Sequence, residues 1–194
     1  TGAFLSWRTG MIDDKKFLEE AVGSEVVFRG RLLEVRRDAV RLANGEASTR
    51  EYVIHPGAVV VLAFLENGNL LFERQFRYPL GKIFLELPAG KVDPGEEVAQ
   101  TAARELLEET GFVASSWEHV GMMHPCIGYS NEKIEIFIAG GLEQVREPLL
   151  EHGEFLEVVE LSLADAASAV RSGSITDAET ITALYWAQVL GKRV

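Results

Sequence analysis

The stretch GKVDPGEEVAQTAARELLEETGF, residues 90–112, combines turn residues, helix-forming residues and a dense block of carboxylates. Its Asp-Pro-Gly sequence at 93–95 predicts a turn, because proline presets one backbone angle and glycine tolerates the next. From Glu96 onward the residues favour a helix, which Gly111 can end in a left-handed conformation. The stretch therefore predicts a loop that leads into a helix.

The predicted helix has two chemically different faces. At about 100° per residue, five apolar residues fall in one arc of roughly 140°, and three glutamates fall in a separate arc of roughly 100°. The apolar residues are Ala99, Ala102, Ala103, Leu106 and Leu107, and the glutamates are Glu105, Glu108 and Glu109. We expect the first face to pack and the second to be acidic.

The three glutamates repel one another unless something offsets their charge. Carboxylates about 5 Å apart cost roughly 3 kcal/mol at an effective dielectric of 20, and less than about 1 kcal/mol in water. One interpretation is an ordinary solvated helix face, which is the commoner case for a random pair of glutamates. The other is a site for hard divalent cations, which prefer several oxygen ligands and cancel the repulsion. The helix alone leaves both interpretations open.

The spacing of the whole stretch favours the cation site. Gly90 is followed after five residues by Glu96 and, after seven more, by Arg104-Glu105-Leu106-x-Glu108-Glu109-x-Gly111-Phe112. The pattern resembles the Nudix box of the Nudix hydrolases at all nine defined positions, which lie within 23 residues. Such a match leaves little room for chance.

The resemblance to the Nudix family implies a role for each matching residue. Glu105, Glu108 and Glu109 become candidate ligands for Mg²⁺ or Mn²⁺, with two or more ions expected, and Arg104 an orienting partner of the acidic cluster. A backbone carbonyl before or at the first glycine also binds metal in that family, which points to Ala89 or Gly90. The residues implied to support the loop-helix-loop geometry are Gly90, Glu96 and Gly111.

Composition indicates a globular protein and narrows its partners. The 194 residues are 47% apolar, enough for a substantial core, and the length suits one domain with a smaller appended unit. The net charge of −11 and the pI near 4.9 argue against a nucleic-acid backbone or an anionic membrane as partner. Cys126 is the single cysteine, which excludes an intramolecular disulfide and suits a reducing, cytoplasmic compartment. We find neither a signal-peptide core nor an apolar stretch of membrane-spanning length.

The N-terminal third predicts strands. Residues 1 to about 20 have no strong period, whereas β-rich runs separated by turn residues indicate a small antiparallel sheet over 24–55. We therefore divide the chain into an N-terminal sheet region, 1–56, and a catalytic domain, 57–194. Such a sheet is marginal alone and must bury its apolar face against the rest of the chain or a second copy.

The catalytic region predicts mixed strands with helices on both sides of a central sheet, an α/β class. The apolar run 58–65 suits a strand covered on both faces, and Asn-Gly-Asn at 67–69 predicts a hairpin into 70–76. Later strands are expected at 117–123, 134–139 and 154–160. Helices are expected after Ser162, ending at Gly173, and over 178–190, where Ile181, Leu184, Tyr185 and Leu190 would pack. The family resemblance implies the same α/β/α sandwich.

The run Glu-Arg-Gln-Phe-Arg-Tyr-Pro at 73–79, ahead of Leu-Pro-Ala-Gly at 87–90, resembles the ADP-ribose pyrophosphatase branch of the family. There an arginine at the position of Arg77 contacts the substrate, and guanidinium forks match phosphate oxygens. The N-terminal sheet of that branch exchanges between two subunits, which implies a homodimer. The residues assigned to the substrate from this comparison are Arg74, Arg77, Glu86 and, for the adenine pocket, Arg50 and Glu51.

The loop 124–131 and Glu132 after it also resemble that branch, in which a loop glutamate is catalytic. This chain has Cys126-Ile127-Gly128 where many relatives carry Ser-Pro-Gly. We interpret Glu132 as general base or as a further carboxylate near the cations, because a metal-bound carboxylate is a poorer proton acceptor. His124 and Cys126 are more simply explained as structural loop residues.

The resulting prediction is metal-dependent hydrolysis of ADP-ribose to AMP and ribose 5-phosphate. Other nucleotide sugars such as GDP-mannose, or a dinucleotide such as NADH, remain alternatives. The Nudix box recognises the diphosphate of the substrate and does not specify the group attached at either end of it. A sensor that binds ADP-ribose without turnover is an alternative of another class. The intact Glu105, Glu108 and Glu109 argue against it.

Overall fold

The computed structural model describes residues 14–150 and 155–191, so most of the predicted N-terminal surface segment lies outside the described residues. The described chain divides into two compact units. The first contains the described residues through Ile54 together with residues 128–130, and the second contains the remainder.

The first unit is a three-stranded antiparallel sheet of order β1-β2-β3. The strands are β1 (Glu20–Arg29), β2 (Glu34–Arg41) and β3 (Ala47–Ile54). The antiparallel sheet predicted from residues 24–55 is confirmed, although β1 begins earlier than expected. Every residue of β1 is exposed in the single chain, including Val22, Val26 and Phe28. This unit therefore presents apolar surface to solvent as an isolated chain.

The second unit contains two sheets and three helices. One sheet has the order β10-β5-β6, and the other has the order β7-β4-β9-β8, with β4 and β9 parallel. The strands are β4 (Ala58–Ala63), β5 (Leu70–Arg77), β6 (Lys82–Glu86), β7 (Ala89–Lys91), β8 (Phe112–Met123), β9 (Ile134–Gln144) and β10 (Leu156–Leu161). The helices are α1 (Val98–Thr110), α2 (Leu163–Ser172) and α3 (Ala178–Val189).

Strand β4 runs through the core and is buried along its whole length. Because successive side chains point to opposite faces, Val60 and Leu62 pack in the cluster that includes Ala183 of α3, whereas Val59 and Val61 lie in the other cluster. That second cluster contains Ala102 and Leu106 of α1. Helices thus cover both faces of a mixed sheet, which confirms the predicted α/β/α class and explains the continuous apolar run.

The predicted hairpin between β4 and β5 is wrong. The turn forms, with the N–H of Leu65 donating to the Asn69 carbonyl over 2.8 Å, but only one bridge, Phe64 to Leu70, follows it. β4 pairs with β7 and β9, whereas β5 pairs with β6 and β10. Since each strand has only two edges, these partners leave none for a hairpin.

Two predicted helix faces need correction. On α1, Ala99 and Ala103 are exposed, and the buried face is formed by Thr101, Ala102, Leu106 and Thr110. On α3, Tyr185 and Leu190 are exposed, and Thr180, Ala183, Leu184 and Ala187 are buried. Small residues allow these helices to approach the sheet closely, so polar threonines enter the contact where larger side chains do not fit.

The predicted helix ends are confirmed. Gly111 ends α1 in the left-handed region, at φ 77°, and an added Cβ there would lie 2.0 Å from the Arg146 carbonyl oxygen. Ser162 and Asp177 cap α2 and α3 by accepting N–H groups from Asp165 and Thr180. No helix in the described ranges is long and apolar enough to span a membrane.

Candidate active site

The acidic face of α1 meets the backbone of β7. An added Cβ at Gly90 would stand 1.9 Å from both Cδ and Oε1 of Glu105, so only glycine leaves room for this carboxylate. Ala89 donates its N–H to Oε2 of Glu109 over 3.1 Å. Two of the three predicted cation ligands therefore lie against residues 89 and 90, where the family resemblance implies a carbonyl ligand.

Arg104 connects the acidic face to the preceding loop. Its Nε and Nη2 donate to the two carboxylate oxygens of Glu96 over 3.1 and 3.0 Å. Its Nη1 donates to Glu105 over 2.9 Å and to Glu108 over 3.0 Å, and Nη2 also reaches the Lys91 carbonyl at 3.2 Å. One guanidinium thus orients two of the predicted ligands, a geometry compatible with the role expected from the sequence.

Glu96 is tied to both the loop and the helix. It accepts a hydrogen bond from the Thr101 hydroxyl at 2.8 Å, and the Asp93 N–H lies 3.5 Å from the same oxygen. The hydrogen bond from Arg104, more than any other contact, lowers the pKa of Glu96 to about 2. This carboxylate therefore stays ionised and holds the guanidinium in place at neutral pH.

Glu109 lies next to a second carboxyl group, that of Glu73 on β5. Glu73 is only 3% exposed, and its carboxyl group interacts electrostatically with that of Glu109. Burial raises the pKa of Glu73 to about 8 and raises that of Glu109 well above its usual value, and the charges of Glu73 and Glu105 raise the Glu109 pKa further. The site therefore concentrates acidic groups that a cation or a proton must offset.

Sequence reasoning missed Glu73 as a site residue, although a signal was present. Glu73 lies two positions after Leu71, so both side chains point to the same face of β5. Leu71 packs in the cluster under α1 with Leu106. Once the buried face of β5 is known, the two-residue spacing from Leu71 therefore predicts that Glu73 points toward the acidic helix α1.

Glu179, in the first turn of α3, is a second acidic residue near this region that the sequence did not reveal. Burial raises its pKa to about 8, with further contributions from the charges of Asp177, Glu86 and Glu132, while Arg77 lowers it. α3 is also tied to the segment before Ala89, because the Leu87 N–H donates to the Thr180 hydroxyl over 3.0 Å. No local motif marks Glu179, since its surroundings come from distant parts of the chain.

Arg77 and Glu86 form a close ion pair on adjacent strands. Arg77 Nε donates to both oxygens of Glu86 over 3.1 and 3.0 Å, and Nη2 adds a bond of 2.5 Å. The Glu86 side chain is 6% exposed, while that of Arg77 is 43% exposed. Glu86 is opposite Glu73 in the β5–β6 register, so this pair borders the acidic group.

The structure does not bring Arg74 to Arg77. The two residues are three positions apart on β5, so their side chains lie on opposite faces. Arg74 instead forms an exposed ion pair with Glu157 on β10, at 2.6 Å. Its predicted substrate contact therefore lacks the supporting geometry that Arg77 has.

Arg50 and Glu51 lie on β3 of the first unit and point to opposite faces of that strand. Arg50 bonds to Glu19 and to the Thr49 carbonyl, and Glu51 accepts from Arg37 at 3.0 Å. Both side chains are exposed, at 46% and 62%. The structure of the single chain does not test the contacts to adenine that are predicted for these two residues.

Glu132 follows the loop directly before β9 and is partly buried. Its Oε1 lies 3.5 Å from Nδ1 of His55, and its charge contributes to the raised pKa of Glu179. Glu132 therefore lies within electrostatic range of the group that includes Arg77 and Glu86. Cys126, earlier in the same region, is a free thiol.

The three glutamates of the acidic helix face do not surround a single cation-binding point in this structure. Among residues 14–150 and 155–191, no three acidic, histidine or cysteine side chains converge on one point that could hold a metal ion. Arg104 instead takes one oxygen each from Glu105 and Glu108. The carboxylate chemistry, the buried Glu73 Oε1 without a hydrogen-bond partner and the space left by Gly90 nevertheless fit a hard divalent cation.

Comparison with known families agrees with this geometry. The NUDIX domain model matches residues 54–184, and the model of the nucleoside diphosphate sugar hydrolase N-terminal domain matches residues 19–53. The chain therefore belongs to the Nudix family and is a Nudix hydrolase.

Similar proteins extend over nearly the whole chain. The ADP-ribose pyrophosphatase of Bacillus subtilis is 39% identical over 90% of this chain and 95% of its own length. The ADP-ribose pyrophosphatase of Mycobacterium tuberculosis is 38% identical over 84% of this chain and 79% of its own. A crystal structure of an ADP compounds hydrolase superposes with a TM-score of 0.80 at 26% identity, covering 90% and 94% of the two chains. The chain thus resembles nucleotide-diphosphate hydrolases in both sequence and fold.

The raised carboxyl pKa values predict that the metal-free protein loses stability as pH rises from about 4.5 to about 8. Glu73, Glu109 and Glu179 bind protons more tightly in the folded than in the unfolded state, so folding is favoured below this window and disfavoured as they ionise. Glu96 acts oppositely but only below about pH 4.5, because its folded pKa is lowered. Thermal midpoints in a chelating buffer between pH 5 and 8.5 measure the effect.

A divalent cation should raise the midpoint more at pH 8 than at pH 5, because it offsets charges that exist only at the higher pH. Glu73→Gln removes one of the three groups and should flatten the pH slope in the chelating buffer. A metal-free midpoint that rises between pH 5 and 8, or a slope that Glu73→Gln leaves unchanged, contradicts the prediction.

Proposed function

We propose that the protein hydrolyses the diphosphate bond of ADP-ribose in the presence of Mg²⁺ or Mn²⁺, giving AMP and ribose 5-phosphate. The observation that carries the proposal is the meeting of the acidic face of α1 with residues 89 and 90, where Glu105 and Glu109 contact the backbone. The relatives named ADP-ribose pyrophosphatase support this substrate class. One water oxygen joins a phosphorus atom while the bridging P–O bond breaks.

In this proposal Glu105, Glu108 and Glu109, with the Ala89 carbonyl, hold two or more cations. Such cations, when bound, neutralise the diphosphate and lower the pKa of a bound water. Ion pairs with Arg104 fix the side chains of Glu105 and Glu108 before the cations bind, and an ion pair with Glu96 fixes Arg104. An acidic site of this kind would otherwise repel its own substrate.

Arg77 is the side chain best placed to contact a substrate phosphate. Its guanidinium is half-exposed while Glu86, nearly buried, fixes its direction. A guanidinium group held in this way loses little further conformational entropy when it binds a phosphate. We assign Arg74, Arg50 and Glu51 only secondary roles, in which they contact the substrate after rearrangement or in a dimer.

A substrate panel tests the proposed activity. Purified protein with Mg²⁺ is offered ADP-ribose, GDP-mannose, NADH and other nucleoside diphosphate derivatives, and released phosphomonoester is measured. We expect the highest kcat/KM for ADP-ribose. A higher kcat/KM for GDP-mannose or NADH would reassign the substrate, and tight ADP-ribose binding without product would favour the sensor.

We also propose a cytoplasmic homodimer, on separate grounds. The single Cys126 suits a reducing compartment.

Apolar side chains on and beside β1 are exposed in the isolated chain, which is costly for a stable monomer. These side chains are Val22, Val26, Val27, Phe28, Leu32 and Leu33.

Sedimentation equilibrium at micromolar concentration should therefore give about twice the chain mass of 21.4 kDa. Val26→Glu together with Phe28→Glu should shift the distribution to monomer, because each places a charge on the apolar face. An active wild-type monomer under these conditions would overturn the dimer.

A further inference from the structure

Leu87 and Pro88 form a junction between the two sheets of the second unit. They follow β6, which pairs with β5, and precede β7, which pairs with β4. The Arg77–Glu86 ion pair therefore lies on one sheet, whereas residues 89 and 90 lie on the other. The conformation of the junction thus helps to set the spacing between the candidate phosphate contact and the candidate cation site.

Backbone hydrogen bonds hold the junction to two different elements. The Leu87 N–H donates to the hydroxyl oxygen of Thr180 on α3 over 3.0 Å, and the Pro88 carbonyl accepts the N–H of Val61 on β4 over 2.9 Å. Thr180 is 0% exposed and Leu87 is 1% exposed, so water has little access to this N–H. Because a buried N–H without an acceptor is unfavourable, the Thr180 hydroxyl stabilises this conformation of the junction.

Thr180 is itself held by rigid surroundings. Its N–H donates to Oδ2 of Asp177, the N-cap of α3, over 2.7 Å. Ala183 and Leu184 of the same helix pack in the core cluster that contains Leu87. A branched side chain such as threonine also has restricted freedom about its first torsion angle. The hydroxyl is therefore a fixed acceptor for the junction.

We propose that Thr180 is a positioning residue, which fixes the junction and thereby the spacing between Arg77 and the cation site at α1 and β7. The inference rests on the proposed function, because it takes Arg77 to contact a phosphate and the acidic face of α1 to hold cations. A diphosphate must meet both groups at once, and a displacement of about 1 Å can cost about 10²-fold in rate. Thr180 acts through the junction, since it is buried in the core.

The test compares two substitutions at Thr180. Thr180→Val has nearly the same shape and lacks the hydroxyl, whereas Thr180→Ser keeps the hydroxyl and loses the methyl group. We expect Thr180→Val to lower kcat for ADP-ribose at saturating Mn²⁺ about 10–100-fold, and Thr180→Ser to remain close to wild type. Mn²⁺ affinity without substrate, measured by electron paramagnetic resonance of the free ion, should stay near wild type in both variants, because Ala89 remains paired with Val60.

Further measurements separate positioning from a merely structural role. Hydrogen exchange at the Leu87 amide should be slow in wild type and Thr180→Ser and faster in Thr180→Val, which lacks the acceptor. Ser162→Ala is the matched control for lost stability, because it removes the cap of α2 and should lower the thermal midpoint without lowering kcat. Thr180→Cys, whose sulfur is a weak acceptor, replaces Thr180→Val if the latter does not fold.

Three results would overturn the inference. Wild-type kcat in Thr180→Val would mean that the hydroxyl serves stability alone, and equal losses of kcat in Thr180→Val and Thr180→Ser would assign the effect to the methyl group. Mn²⁺ affinity that falls in parallel with kcat would mean that the contact serves the cation site rather than the spacing. A failure of the proposed function appears separately, as wild-type protein that does not hydrolyse ADP-ribose. The substrate with the highest kcat/KM in the panel then replaces ADP-ribose in the same comparison.

Discussion

Glu109→Gln is expected to lower kcat for ADP-ribose by at least 10²–10³-fold, about the loss seen when one group that stabilises transition-state charge is removed. The substitution removes a negative charge next to the Ala89–Gly90 backbone. Glutamine has the same size and can still accept the Ala89 N–H, so no cavity opens. The loss should therefore come from the chemistry of the site rather than from unfolding.

Stability gives an independent check on this variant. Glu109 is repelled by Glu73 and Glu105, which together with burial raises its pKa. Removing its charge should leave the metal-free thermal midpoint at neutral pH unchanged or raise it, and should weaken the stabilisation by Mg²⁺. Glu143→Gln, at an exposed glutamate on β9, is the matched control and should behave as wild type. Hydrolysis by Glu109→Gln at a rate near that of wild type would disprove the ligand assignment.

Glu132→Gln is expected to lose most of kcat, roughly 10²–10⁴-fold, if Glu132 is the general base. Glu132 lies apart from the Arg104 contacts that restrain Glu105 and Glu108, so it can take a proton without giving up a cation. Its partial burial beside His55 and its electrostatic influence on Glu179 place it near the Arg77–Glu86 pair. A residue in the loop directly before β9 can complete a site if that loop closes over the substrate.

The decisive measurement for Glu132 separates binding from turnover. Mn²⁺ affinity and the KM for ADP-ribose should remain close to wild type in Glu132→Gln, while kcat falls at every pH between 6 and 10. Glu135→Gln, three residues further on, is a suitable comparison because its partners are His119 and Lys133. Unchanged kcat across that range would exclude the base. Weakened Mn²⁺ binding, with kcat restored by excess cation, would instead make Glu132 a metal ligand.

Much of the box could be predicted because its interactions are local. The Asp93 carbonyl accepts the Glu96 N–H at 3.0 Å, and Gly111 caps α1 by donating to Leu107. Arg104 reaches Glu108 one helical turn away and Glu96 in the loop just before α1. Such contacts depend on spacing along the chain, which a sequence displays directly.

The sequence could not predict which strands pair or which helix faces are buried. The turn after β4 forms as expected, yet β5 pairs with β10, more than 80 residues later, because distant strands compete for the same edges. The packed faces of α1 and α3 were likewise misjudged at Ala103 and Tyr185, because the sheet surface determines the rotation of each helix.

By itself, the sequence determined the family, the α/β class, the acidic helix and the ends of that helix, since each depends on residue type at short spacing. Only the tertiary structure decided that Glu73 lies against Glu109, that Arg77 pairs with Glu86 while Arg74 faces away, and that Glu179 lies within electrostatic range of Glu132. Burial and distance between remote residues set these charges, because the cost of an ionised group depends on how much water and how many neighbouring charges surround it.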